Sequence, residues 1–179
     1  MRKTFENTLI VAGSGRNCGK TSFLCDLLQN LQLPEVVAVK ITPHFHEPTD
    51  GLVLLNDHPA FKIYREENRN SKKDSSRFLR AGAKISIYIQ TKDDTLLEAF
   101  DFISNFIGEG QPVVIESAAL VKYVHPALFL FVQKENEPAK NSAENILPLA
   151  DGIIYSDGKR FSISPEQIIF EKTWKIRFQ

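Results

Sequence analysis

The chain has 179 residues, a length that suits one domain with a sizeable core. Hydrophobic residues make up 42% and charged residues 25%, the proportions of a globular chain rather than a disordered or fibrous one. Lysine plus arginine and aspartate plus glutamate each number 22, so the formal net charge is zero, which argues against nucleic acid or an anionic membrane as the main partner.

The first predicted element is an apolar strand over residues 8–12. It runs into Gly13-Ser14-Gly15-Arg16-Asn17-Cys18-Gly19-Lys20-Thr21-Ser22. A glycine-rich loop between a strand and a helix, closed by Gly-Lys-Thr, is the pattern of a phosphate-binding loop. Its glycines let consecutive N–H groups turn inward on a polyphosphate, and the following helix offers its positive end to the same anion. Residues 13–22 are therefore expected to hold a nucleoside triphosphate. Lys20 would reach the β- and γ-phosphates, and the Thr21 hydroxyl would ligate Mg2+. The strict pattern places glycine six positions before the lysine; here that position is Ser14, with Gly13 and Gly15 on either side.

The next stretch, residues 21–31, predicts an amphipathic helix with Leu24, Leu27, Leu28 and Leu31 on one stripe. Strands are then expected at 36–41, 85–90, 112–116, 128–133 and 152–155. Their apolar runs are nearly continuous rather than alternating, as in a parallel sheet buried on both faces. Helices are expected at 73–81 and 95–106, with a weaker one at 141–149 that Ser142 would cap. Short strands at 161–163, 168–170 and 173–178 would form an antiparallel addition. Residues 43–70, with three prolines and many charges, read as a long loop suited to a lid or a substrate-binding segment. The alternation predicts an α/β fold, a doubly wound and mostly parallel sheet of the P-loop NTPase type. The single domain would have its core at 8–157 and a short β-rich C-terminal extension at 158–179.

In such sheets the ligand sits beyond the carboxyl ends of the strands. After the second strand come Lys40, Thr42, His44 and His46, residues suited to phosphate or to a second anionic substrate. The two histidines also raise a zinc site, for which no third ligand is evident. Glu116 ends the fourth strand of the predicted series, where a Mg2+ carboxylate belongs. Asp74 opens the helix at 73–81, either as an acid stabilised by the helix dipole or as a metal or substrate ligand. Gln133-Lys134-Glu135-Asn136 is a degenerate echo of a guanine-reading segment, lacking its aspartate, and Ser156-Asp157 is the alternative base-reading pair.

Several of these segments occur together, in order, in one known family. The glycine-rich loop, Val39-Lys40-Ile41-Thr42-Pro43-His44, Lys73-Asp74-Ser75 with Arg80-Ala81-Gly82-Ala83, and Val114-Ile115-Glu116 resemble the MobB-type accessory proteins of molybdopterin-guanine dinucleotide biosynthesis. The resemblance covers roughly residues 8–157. It implies a GTP-binding, weakly hydrolytic P-loop protein, homodimeric, assisting the nucleotidyltransferase that joins GMP to molybdopterin. By match, Gly15, Gly19, Lys20 and Thr21 would hold nucleotide, Asp74 and Glu116 would serve the magnesium and phosphate site, and Thr42 and His44 would line the neighbouring pocket. The chain departs from the family after Glu116, where Ser117-Ala118-Ala119 stands in place of a glycine.

Two other functions fit the same residues. An ATP-dependent small-molecule kinase or ligase of the dethiobiotin-synthetase type would use Lys40 on the substrate's developing anion. A non-enzymatic switch would order residues 43–70 when nucleotide binds. Lys20 and Glu116 are the expected catalytic groups in the first reading, and Arg16 is a candidate arginine finger. Two cysteines, Cys18 and Cys25, are too few for a disulfide framework, and no signal peptide or membrane span is legible, so a cytoplasmic location is expected.

Overall fold

Successive residues of strand β1 (Lys3–Gly13) enter opposite cores. Ile10 and Ala12 face one, Leu9 and Val11 the other, and all four are fully buried. The same division runs through β2 (Val37–Thr42), where Val39 faces the first core and Ala38 the second. A strand with apolar side chains on both faces needs cover on both, which is why these runs do not alternate in polarity. The structure is a computed structural model that describes residues 2–31, 33, 35–138 and 141–178.

The remaining elements, in chain order, are α1 (Lys20–Asn30), β3 (Leu52–His58), β4 (Phe61–Glu66), α2 (Asp74–Ala81), β5 (Ile85–Thr91) and α3 (Leu96–Ser104). They continue with β6 (Val113–Glu116), β7 (Val124–Lys134), α4 (Asn141–Glu144), β8 (Gly152–Ser156), β9 (Ile168–Phe170) and β10 (Trp174–Ile176). Eight strands form one sheet in the order β3-β4-β5-β2-β6-β1-β7-β8. The six from β5 to β8 in that order are parallel, and β3 and β4 are antiparallel additions at the edge.

Helices α1 and α2 cover one face through Phe23, Leu24, Leu27 and Phe78. Helices α3 and α4 cover the other through Leu96, Phe100, Ile103 and Ala143. The doubly wound α/β expectation, its six parallel strands and its first three helices therefore hold, most ends shifted by a residue or two, but β1 and β7 begin well before the predicted starts at 8 and 128. The predicted helix at 141–149 resolves into the four-residue α4 and a single 3-10 turn at Leu147–Leu149. The expected Ser142 cap rests on a side chain outside the described residues.

Two expectations need correction. Residues 43–70 are not one long loop, because β3 and β4 form a hairpin within them that pairs with β5. Phe61, Ile63 and Tyr64 are buried, and this supplies the energy that the prolines and charges of the segment conceal. Residues 161–163 form no strand, only an isolated bridge between Phe161 and Ser156. The tail beyond them does form an antiparallel pair, β9 with β10, as a separate small sheet. Trp174 packs into the α1 and α2 side of the core and donates its indole N–H to the Asn7 carbonyl at 2.8 Å, which fixes the tail to β1. Among the described residues no helix is long and apolar enough to cross a membrane.

Candidate functional site

The carboxyl ends of β1, β2, β6 and β8 open on one cavity of about 770 Å³. The predicted loop residues other than Cys18, together with Lys40, Thr42, His44, Asp74 and Glu116, line it, while His46, residues 133–136 and Asp157 do not. The Cys18 side chain turns inward, 2% exposed, beneath Gly13. A Cβ on Gly13 would lie 2.5 Å from the Cys18 sulfur and 2.8 Å from the Val132 carbonyl, so only glycine fits there.

Ser14, where the strict loop pattern has glycine, has a physical reason to be present. Its N–H donates to the Val132 carbonyl at 2.9 Å, and its hydroxyl accepts the Lys134 N–H at 3.2 Å. These two bonds fasten the loop to β7, the strand beside β1. At the far end of the loop Gly19 is the N-cap of α1, with φ of 106° and no side-chain cap. The first turn carries no acid of its own either, so the positive helix end opens on the cavity with only the Glu116 carboxylate, from β6, near it. Gly19→Ala is expected to cost about 1–3 kcal/mol, because the new Cβ would meet Phe161 at 3.0 Å on a left-handed backbone. Urea melts that leave the midpoint unchanged would show that Phe161 moves aside freely.

Four ionic or hydroxyl groups, one each from α1, β2, α2 and β6, meet behind this loop. Thr21 Oγ1 donates to Glu116 Oε2 at 2.7 Å. Lys40 Nζ donates to Glu116 Oε1 at 2.6 Å and pairs with Asp74 Oδ2 at 2.7 Å. The parallel register of β2 with β6 sets Lys40 directly opposite Glu116, so strand pairing alone brings these two together. Asp74 comes in as the first residue of α2, whose far end stops at Gly82 in the left-handed region. Arg77, one turn along α2, reaches Asp74 Oδ1 at 3.6 Å and the Ser22 hydroxyl at 3.2 Å. Lys20 Nζ folds back on its own loop and donates to the Gly15 carbonyl at 2.6 Å.

Burial alone would raise the Asp74 carboxyl, but the Lys40 ammonium, with help from Arg77, holds it below its ordinary 3.8. Burial likewise opposes the charged form of Lys40, and Glu116 and Asp74 overcome it, leaving its pKa above the ordinary 10.5. The stability that Asp74 gains is full above its unfolded pKa and is lost as pH falls through the lower folded value. The stability that Lys40 gains is full below 10.5 and is lost as pH rises through the higher folded value. The stability difference between wild type and Asp74→Asn is therefore expected to be flat from about pH 5 to 9 and to shrink below about pH 4. Denaturant melts across that range test it; a difference that widens in acid contradicts it.

The histidines separate. His44 lies in the large cavity with its Nε2 3.5 Å from an Arg16 guanidinium nitrogen. His46 lines a smaller cavity of about 230 Å³ beyond Lys40. Among the described residues no group of three or more metal-ligating His, Cys, Asp or Glu side chains forms, so the zinc idea gains no third ligand. At the base-reading positions, Lys134 is ion-paired with Glu137, and Gln133, Lys134, Glu135 and Asn136 line a separate shallow depression with Tyr155. Asp157 accepts the N–H groups of Lys159 and Arg160 at 2.7 Å each, and these bonds hold its carboxyl below the usual range. Both cysteines are free and buried, and burial pushes the Cys25 thiol up to about 11.

Sequence reasoning passed over Arg77, Phe161 and the Asp93–Lys122 ion pair, all on the cavity wall. Arg77 carried a usable signal, since it stands three residues after Asp74 on the same helical face. Phe161 carried none, because the turn that returns it to Gly19 lies beyond the last parallel strand. Comparison with protein-family models, curated proteins and solved structures finds no match for this chain.

Proposed function

We propose that the chain is a P-loop protein that binds a nucleoside triphosphate, GTP by the resemblance of its motifs, with Mg2+. In this reading it assists molybdopterin-guanine dinucleotide synthesis and hydrolyses nucleotide slowly. The observation that carries the reading is convergence. The glycine loop, the uncapped start of α1, Lys20 and the Thr21–Glu116–Lys40–Asp74 group face one cavity large enough for a nucleotide. Thr21, Asp74 and Glu116 offer hard oxygen donors, the chemistry Mg2+ takes alongside substrate phosphates, and they would hold it. The ion would supply charge stabilisation for phosphoryl transfer. The protein's own part is positioning: loop N–H groups and Lys20 on the phosphates, Thr21 and the carboxylates beneath them.

The homodimer implied by the resemblance would find an apolar edge in β3, where Val53, Leu54 and Leu55 are exposed on the outermost strand. Equilibrium titration with fluorescent GTP and ATP analogues, with and without Mg2+, tests the assignment. Magnesium-dependent binding with GTP preferred is expected. Binding of neither nucleotide would end the reading.

One observation favours the kinase or ligase alternative. The smaller cavity meets the large one at Lys40, Thr42 and Asp74, as a second-substrate pocket would. ATP preference, with turnover only when a small acid or amine is added, would decide for it. The switch reading has less chain to work with, because the β3–β4 hairpin already orders the middle of 43–70.

A further inference from the structure

Lys40 occupies the place where a cation's charge is needed. Its ammonium lies 2.6 Å from Glu116 Oε1 and 2.7 Å from Asp74 Oδ2. Glu116 spends its other oxygen on the Thr21 hydroxyl at 2.7 Å. The three groups assigned above to Mg2+ are thus already engaged, two of them by one positive charge. The Lys40 side chain is 19% exposed and that of Glu116 4%, so water screens this cluster poorly. Like charges a few ångströms apart in such surroundings repel strongly. Arg77 adds a second positive charge, 3.6 Å from Asp74 Oδ1, and its other partner is the Ser22 hydroxyl rather than Glu116. An ammonium on a four-carbon stem can swing toward another anion when one arrives.

We propose that Lys40 is an internal counter-cation that keeps divalent metal off the Asp74–Glu116 pair, releasing the two carboxylates only when nucleotide phosphate draws its ammonium away. This rests on the nucleotide reading above and adds an order to it: nucleotide opens the metal site, and metal follows. By linkage, the metal tightens nucleotide by the same factor. Lys40 lines both cavities, so space for an anion adjoins its ammonium as well as the carboxylates it pairs with.

Mn2+ is the probe, followed by the paramagnetic resonance of the free ion. Ligand-free Lys40→Met is expected to bind it about 100-fold more tightly than ligand-free wild type, because the unopposed carboxylates gain a cation in place of the lost one. A non-hydrolysable GTP analogue is expected to close most of that gap in wild type. Equal Mn2+ affinity of the two ligand-free proteins overturns the proposal. A gain that persists in Lys40→Met/Asp74→Asn overturns it as well, since the ion would then sit elsewhere. If Lys40→Met does not fold unaided, Mn2+ is expected to restore its circular dichroism, and failure to restore it counts against the proposal. The nucleotide reading fails separately. An analogue that leaves the wild-type melting temperature unchanged removes that assignment, while the ligand-free Mn2+ comparison still decides the role of Lys40.

Discussion

GTP with Mg2+, at a hundredfold its dissociation constant, is expected to add about 2.7 kcal/mol to the unfolding free energy of the wild-type protein and almost nothing to that of Lys20→Ala. The contrast depends on what Lys20 touches within the protein itself. Its amine donates to the Gly15 carbonyl and lies 3.5 Å from the Cys18 sulfur, both within its own loop. These are local contacts of a half-buried side chain, so the ligand-free variant is expected to stay within about 0.5 kcal/mol of wild type. Only the ligand increment should vanish, because the charge facing the phosphates is gone while the loop remains. Denaturant melts with and without nucleotide separate the two effects. A Lys20→Ala protein that keeps the full increment would remove the loop from the binding site.

The second large effect is structural. Glu116→Ala is expected to destabilise the protein by about 3 kcal/mol, toward the lower end for breaking a buried ion pair, because Asp74 remains as a half-exposed partner for Lys40. Thr21 loses its acceptor at the same time. Glu116→Gln keeps an acceptor for Thr21 and is expected to cost less. For a domain with roughly 5–15 kcal/mol in total this is a large fraction. A double-mutant cycle with Lys40→Met isolates the pair from the rest of the site. A cost below about 1 kcal/mol would mean the pair behaves as a screened surface bridge.

Much of this site could be read from the sequence because it is local in sequence. The loop from Gly13 to Thr21 lies in one stretch, and the apolar runs that place it at a sheet end are continuous enough to be identified as buried parallel strands. Lys40, Asp74 and Glu116 were each legible as strand-end or helix-start residues. Their mutual pairing was not, because it depends on β2 lying beside β6 and on α2 beginning near both, facts of topology rather than pattern. The hairpin was missed for a different reason. Pro59 and the charges around it suggest a loop, yet Phe61-Lys62-Ile63 shows the alternation of an edge-side strand, a signal too short to outweigh its neighbours. The fastening of Ser14 to β7 was invisible, since it joins a loop to a backbone group far along the chain.

That last bond bears on how the molecule assembles. Ser14 meets Lys134 across 120 residues of sequence, Thr21 meets Glu116 across 95, and Lys40 meets Glu116 across 76. Strand β1 is made first, yet both of its sheet neighbours, β6 and β7, come from the latter half of the chain. Loops this long close late, because their entropy is lost before their contacts form. A nascent chain therefore carries its glycine loop without these walls until β6 and β7 have been made. In refolding, capture of a fluorescent nucleotide is expected to lag behind the return of helical circular dichroism; simultaneous recovery would mean the strands dock in a different order. In the proposed reading, binding competence waits on β6 and β7, and a ligand present earlier in synthesis meets only an unsupported loop.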